Sequence, residues 1–577
     1  MMKQAVQRRG ERGIVLFLGV LSLAMIIPMV GVSVDVGYLY ASKARLQAAV
    51  DGASLAAARA LNLGTSTSAQ ATSAKQNAVN WFYSNFPPGN WATSNTVMTT
   101  SNVQVYDDTI NPNLRHVDVT ATTRVPTYFM KWLHFNSTTI SALGFASRRD
   151  AVVMLVLDRS GSMCSGASQP CTGGACASMK SAAKIFTGQF AAGRDYIGLV
   201  SFSDATFIHS PPVQSFRTTL GYTDGTTSGS GAIDTIQCAG GTNTAQAMSM
   251  GYNALYQRYL PGAFNVLVLE TDGLPNTLTV NMWDGTAFGM ASRSTTTTGK
   301  NPVTTSRGCK DNSSKNKYDG GWRNSTIADA RVWTSGFSMN TITTNTPHVG
   351  FISNIPSGSI GTIYSPDPAT SPKYFNLVGQ YIDTSGNSGL DQISTSTTLN
   401  CLWGTSQADT VAEMEDFLWL PAADVTGNSM KPALNPYKNS VILNGTGRIK
   451  FNSTAVTGTT NNTAMTITQM WQNYHDAALN ATDHAGYRAR TNANIPATVF
   501  VIGLGGQGSD PTDHTLLQRI ANDPRGDSSV PYVACASNAS CVNYSAQPQG
   551  TYIYSSNSNV LKAKFLELSS QILRLSQ

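Results

Sequence analysis

Asp158, Ser160 and Ser162 stand two apart within AVVMLVLDRSGSM, residues 151–163. On extended backbone, alternate side chains share one face, so these three oxygens would point together while Arg159 and Gly161 turn away. One carboxylate and two hydroxyls suit a hard divalent cation such as Mg²⁺. Two later stretches carry related groups. Cys238–Asn243 reads CAGGTN ahead of a helical pattern and offers Thr242 as another hydroxyl. Phe264 to Leu269 is apolar and runs into Glu270, Thr271, Asp272 and Gly273.

Elements must bring such distant groups together. The apolar run that begins at Ala151 ends in a Gly/Ser turn, the pattern of a strand buried on both faces of a parallel sheet. In open α/β sheets ligands sit beyond the carboxyl ends of the strands, which is where Asp158 and Asp272 fall. Strand–DxSxS, GGT and strand–TDG, in that order, resemble the metal-ion-dependent adhesion site of von Willebrand factor type A domains. The resemblance implies Asp158, Ser160, Ser162, Thr242 and Asp272 as the metal set, holding Mg²⁺, Mn²⁺ or Ca²⁺. It also implies one coordination position left for an Asp or Glu of a protein partner. Phe202-Ser203-Asp204, closing another strand, fits the same family. The likeness covers residues 150–275 and 465–577 and implies a doubly wound α/β sheet, interrupted by an insertion at about 276–464.

The chain has 577 residues, enough for several cores, and only 12% are charged. Its net charge of +6 includes a cluster at Lys3, Arg8, Arg9 and Arg12 but no basic stripe with interleaved aromatics, which argues against nucleic acid as a partner. Eight cysteines, with no CxxC and no zinc spacing, favour disulfides in an exported chain. The expected pairs are Cys535–Cys541, Cys309–Cys401, and two among Cys164, Cys171, Cys176 and Cys238.

Ile14 to Val34 is 21 residues without a charge, long enough to span a bilayer as a helix. Pro28 is tolerable there as a kink. The basic residues precede the span, so residues 1–12 should stay cytoplasmic, 13–35 cross the membrane, and the remainder be exported. Leu46, Val50, Ala53, Ala57 and Leu61 then continue as a narrow helical stripe. The stretch from Arg12 through VDVGYLYASKARLQAAVDGASLAAARAL resembles the N-terminal segment of TadE/TadG-like proteins of tight-adherence (Flp-type) pilus assembly. Neither Gly10 nor Gly13 is followed by the Glu that processed pilin precursors carry in the apolar segment, which implies a retained anchor. Residues 36–148 form the rest of this pilin-like region. A helix is expected over Lys75–Phe86, then strands over Val103–Tyr106, Arg115–Arg124 and Thr138–Ala146, with VDVTAT alternating in period two. Arg148-Arg149-Asp150 is the expected junction with the adhesion-type domain at 150–577.

Met179, Ala183, Phe186 and Phe190 give a helical core stripe after the first metal loop. The insertion is rich in Thr, Ser, Asn and Gly, with helical spacing only at Asp409–Trp419, and reads as a loop-rich lobe. Periodicity returns with helices near Thr468–Arg490, Thr515–Ala521 and Val560–Leu575 and strands at Ala497–Leu504 and Thr551–Tyr554. Gly503 to Gly508 fits G-x-G-x-x-G but lacks the helix and the later acid of a dinucleotide site. Arg525-Gly526-Asp527 is a bare tripeptide, and His475 and His484 lie too far apart on one helix for a zinc pair. No nucleophile elbow and no phosphate loop is present.

These readings describe a non-enzymatic pilus-assembly protein of the bacterial inner membrane, crossing once, its bulk periplasmic, its type A domain binding a pilus or secretion component through the metal. The alternative is an adhesin displayed at the cell surface or pilus tip. A third class, a Mg²⁺-dependent hydrolase, lacks a general base or nucleophile pair beside the metal residues.

Overall fold

The computed structural model describes residues 11–64, 66–168, 171–203, 206–222, 230–238, 241–281, short pieces between 349 and 452, 467–505, 512–524 and 546–576. The chain divides into two compact units, Met1–Asp150 with Arg574–Gln577, and Ala151–Leu573.

In the first unit, α1 (Glu11–Ala60) is one helix of 50 residues, and Pro28 sits within it without ending it. At 1.5 Å per residue it is about 75 Å long. Its two halves face different surroundings. Phe17, Leu21, Ile26 and Val30 stand open, whereas Leu46, Val50, Ala53, Ala57 and the following Leu61 are buried, as their spacing predicts. Among the described residues this is the one helix long and apolar enough to cross a membrane, and it fits a single-pass protein. Helix α2 (Thr67–Asn85) begins eight residues before the expected Lys75, because the Ser66 hydroxyl caps it by accepting from Ala69 N at 3.2 Å. Propensity alone did not separate that Ser/Thr-rich start from a loop.

Four strands form one sheet, whose β3 and β4 pack on α1: β1 (Ser94–Val97), β2 (Val103–Asp107), β3 (Leu114–Pro126) and β4 (Ser137–Arg149). β3 pairs along its length with β4, and on its other edge with β2 and then β1, all antiparallel. Val117, Val119 and Ala121 alternate into a core shared with Val50 of α1 and with Ala74 and Phe82 of α2. β1 carries no alternating apolar signal and was not expected.

The second unit is a six-stranded sheet. Its strands are β5 (Ala151–Asp158), β6 (Tyr196–Phe202), β7 (Thr206–Val213), β8 (Phe264–Thr271), and, after the insertion, β9 (Thr498–Leu504) and β10 (Tyr552–Ser555). The order is β10-β9-β8-β5-β6-β7, parallel except for β7 at one edge. Every residue of β5 is buried. Val153, Leu155 and Leu157 pack on one face against α3 (Gly174–Thr187) and the last helix, Leu561–Leu575, through Met179, Phe186 and Phe565. Val152, Met154 and Val156 pack on the other face with α4 (Thr244–Arg258) and the helices Ile467–Thr491 and His514–Ala521. This is the doubly wound α/β sheet expected.

The insertion enters after β8 and returns before β9, which are parallel neighbours. Its described backbone includes an antiparallel sheet of Cys401–Gly404, Ser359–Tyr364, Val349–Ser353 and Thr277–Asn281, in that order. The expected helix at Asp409–Trp419 and the tripeptide Arg525–Asp527 lie outside the described residues.

Candidate metal centre

β5 and β8 end side by side, with Leu157 opposite Glu270, so Asp158 and Thr271 leave the sheet together. The Asp158 carboxylate is fully buried. Its Oδ1 accepts from Ser160 N at 2.7 Å and its Oδ2 from the Thr271 hydroxyl at 2.6 Å. The loop departs from the expected alternation after Ser160, whose backbone is extended; Gly161–Cys164 then forms one tight 3₁₀ turn. That turn still brings Ser162 Oγ to 2.9 Å from Ser160 Oγ. Both hydroxyls donate to Asp272 Oδ1, Ser162 at 2.8 Å and Ser160 at 3.3 Å. Asp272 Oδ2 is buried and, among the described residues, has no hydrogen-bond partner. Arg159 is buried, and its charge adds to burial in pushing the His209 imidazole down to about 3.

Thr242 arrives from the loop before α4. Its N–H donates to Asn276 Oδ1 at 2.7 Å, and its carbonyl accepts from Asn276 N at 3.0 Å and Thr277 N at 3.2 Å. A Cβ built on Gly273 would lie 3.9 Å from both Ser162 Oγ and Thr242 Oγ1, so the three loops meet there. Helix α4 can bring Thr242 so close because Gly251 lies against β5, where a Cβ would approach Val156 Cγ2 to 2.9 Å. Asn243 N also donates to the Ser203 carbonyl at 2.8 Å, tying the loop to the end of β6. The five residues expected from the sequence therefore come together. Thr271 and Asn276, which hold Asp158 and Thr242 from behind, were not singled out; the only signal for them was nearness to Asp272.

Two disulfides brace these loops. Cys164–Cys171 closes the turn after Ser162, and Cys176–Cys238 ties the start of α3 to the segment before Thr242. The other two expected pairs involve Cys309, Cys535 and Cys541, which lie outside the described residues, as does the side chain of Cys401.

Burial raises the carboxyls of Asp158, Glu270 and Asp272, most strongly the latter two, and each of those is pushed further by repulsion from Asp158. Glu270 is fully buried as well. Such a cluster suits a cation on its chemistry: hydroxyl and carboxylate oxygens, one of them unpartnered, around a point of concentrated negative charge. Among the described residues no three His, Cys, Asp or Glu side chains are grouped to hold a metal.

The family profile of the von Willebrand factor type A domain matches residues 153–274. The chain carries a von Willebrand factor type A domain. A second profile, Flp pilus-assembly TadE/G-like, matches residues 13–60, so this type A domain follows a TadE/G-like segment in a pilus-associated protein. No curated protein matches the chain. Among solved structures, the PilB minor pilin from Streptococcus sanguinis is 11% identical, with 84% of this chain and 80% of that one covered and a TM-score of 0.28. The pilus adhesin SpaC from Lactobacillus rhamnosus GG is 11% identical, with 82% and 36% covered and a TM-score of 0.31. The vWF domain of the type V pili tip protein Mfa5 from Porphyromonas gingivalis is 12% identical, with 75% and 98% covered and a TM-score of 0.30. Likenesses as loose as these say nothing about ligands.

Proposed function

We propose that the type A domain binds a protein partner through a divalent cation, and that the chain does so as an inner-membrane component of Flp-type pilus assembly. Ser160, Ser162 and Thr242 would offer hydroxyl oxygens to Mg²⁺ or Mn²⁺, with Asp158 and Asp272 holding it directly or through water. The cation would supply a Lewis-acidic position for an Asp or Glu of a pilus or secretion component. The observation that carries this reading is the unpartnered, buried Oδ2 of Asp272 beside two hydroxyls that already converge on Oδ1. Basic residues before the apolar half of α1 favour a cytoplasmic N-terminus, which leaves the type A domain in the periplasm. The reading is non-enzymatic: in it Ser160, Ser162 and Asp272 serve as metal ligands rather than as a nucleophile and its base.

The test is retention of periplasmic proteins on the immobilised full chain, in Mg²⁺ and in EDTA, beside Asp158→Ala. Pilus components held in Mg²⁺ and lost in both EDTA and the variant are expected. A retention profile that ignores chelator and variant alike would remove the metal from the function. Recovery of the chain in shed pili instead of inner membrane would move it to the adhesin class.

A further inference from the structure

We propose that the loop Thr127–Asn136 is a second membrane contact, lying in the lipid interface beside the end of the apolar helix. This rests on the reading of α1 as a membrane span. The loop reads TYFMKWLHFN and joins β3 to β4 in the first unit. It is clipped to α1 at the level where the apolar stretch ends. The Asp35 carboxylate accepts from Tyr128 N and Phe129 N, both at 2.9 Å, and from Met130 N at 2.6 Å. One turn further into the span, the Phe129 ring lies on the bare backbone of Gly31, where a Cβ would come within 2.6 Å of it. A ring packed on Gly31 shares the depth of Gly31. If α1 crosses a bilayer with Ile14 to Val34 in the hydrocarbon, Phe129 is already within its edge.

The rest of the loop has the composition of that layer. Trp132 is 85% exposed, Phe135 60% and Leu133 59%, an apolar patch left open by the described residues of its own unit. Lys131 and His134 are interleaved with them and also exposed, which suits a surface that is apolar on one side and phosphate-rich on the other. The aromatic groups continue around the helix. Tyr38 stacks on Trp91 at 5.8 Å and meets Tyr128 edge-on at 5.5 Å, while Arg45 lies over Trp91 at 3.8 Å. Trp and Tyr with flanking cations are the residues that favour the bilayer interface. A contiguous exposed aromatic patch would be a liability in water, and a lipid surface covers it without a further protein. Its direct packing on the apolar helix selects lipid over a soluble ligand as the occupant.

The test is photocrosslinking of the full chain in phosphatidylethanolamine–phosphatidylglycerol nanodiscs, with benzoylphenylalanine in place of Trp132 or Phe135. Leu21, in the apolar half of α1, is the positive control for the anchor. Ile110, 93% exposed at the opposite end of β3, is the negative control; it lies the length of a 13-residue strand away, roughly 40 Å. Phospholipid adducts at 132, 135 and 21, and at least tenfold fewer at 110, are expected. Adducts at 21 without adducts at 132 and 135 would overturn the loop contact and leave the anchor standing. Their absence at 21 would overturn the anchor reading and the loop contact with it. Protein adducts at 132 in native membranes, or lipid adducts at 110 as abundant as at 132, would also overturn it.

Discussion

Asp158 and Asp272 reach the same loop from adjacent parallel strands, but their oxygens are differently engaged. Both oxygens of Asp158 accept hydrogen bonds, whereas Asp272 has one oxygen accepting from two hydroxyls and one with no partner among the described residues. Asp158 is thus the oriented group and Asp272 the one with most to gain from a cation. Thr271→Val keeps the size of the side chain and deletes the donor to Asp158 Oδ2. Magnesium affinity should fall roughly tenfold, as for other partners that orient metal ligands, with a stability loss of about 1 kcal/mol. Calorimetric titration and denaturant unfolding measure the two, and unchanged affinity would mean that Asp158 is oriented by something else.

The same residues set a pH dependence. Burial raises the carboxyls of Asp158, Glu270 and Asp272, so the metal-free folded chain holds protons that the unfolded chain releases. Between the ordinary carboxylate range and those raised values, metal-free stability therefore falls as pH rises. A cation pairs with the ionised form and offsets that loss. The gain in Tm from Mg²⁺ over EDTA should accordingly be larger near neutral pH than in mild acid. An equal gain at both would show that the cation does not compete with protons at these carboxyls.

At the scale of elements, the metal loops are braced covalently. Cys176 and Cys238 are 62 residues apart, and on loop-closure entropy their bond stabilises the fold by about 4 kcal/mol. Replacing both with serine should lower the denaturation midpoint and weaken Mg²⁺ binding together, because the bond anchors the segment leading to Thr242. A variant destabilised but with unchanged Mg²⁺ affinity would separate the disulfide from the site. In the first unit, Asp35→Ala removes three acceptor bonds to one short loop. Hydrogen exchange at Tyr128, Phe129 and Met130 should quicken at least tenfold, while Val117 and Val119 in β3 keep their protection.

The elements also show what was legible beforehand. β5 and β8 could be read because parallel strands buried on both faces are continuous apolar runs, and the polar loop at each carboxyl end announced the site. The stripe from Leu46 to Leu61 was legible because 3.6-residue periodicity survives in an Ala-rich helix. Asp158, Ser160 and Ser162 converge as expected, although a 3₁₀ turn and not an extended run delivers Ser162. Thr271 and Asn276 were hidden because holding another side chain leaves no periodic trace. β1 and the Ser66-capped start of α2 were missed for want of apolar alternation and by competition between cap and loop chemistry.

For the whole molecule, the chain combines a TadE/G-like apolar helix with a type A domain in a pilus-associated protein. The sheet tolerates a long insertion because β8 and β9 pair in parallel, a join that requires a crossover of some length in any case. That crossover starts directly after Asp272, so the insertion leaves the sheet from the edge that carries the site. In the proposed mechanism, whatever meets the cation must pass the first residues of this segment, and the insertion would set who the partner is.

The most direct measurement is calorimetric titration of Mg²⁺ into the full chain in detergent, beside Asp158→Ala, with circular dichroism to confirm that both are folded. One Mg²⁺ bound per wild-type chain and none by the variant is the predicted result. Folded wild-type protein that takes up neither Mg²⁺ nor Mn²⁺, or a variant that binds as the wild type does, would contradict a working metal site at the carboxyl edge of this sheet.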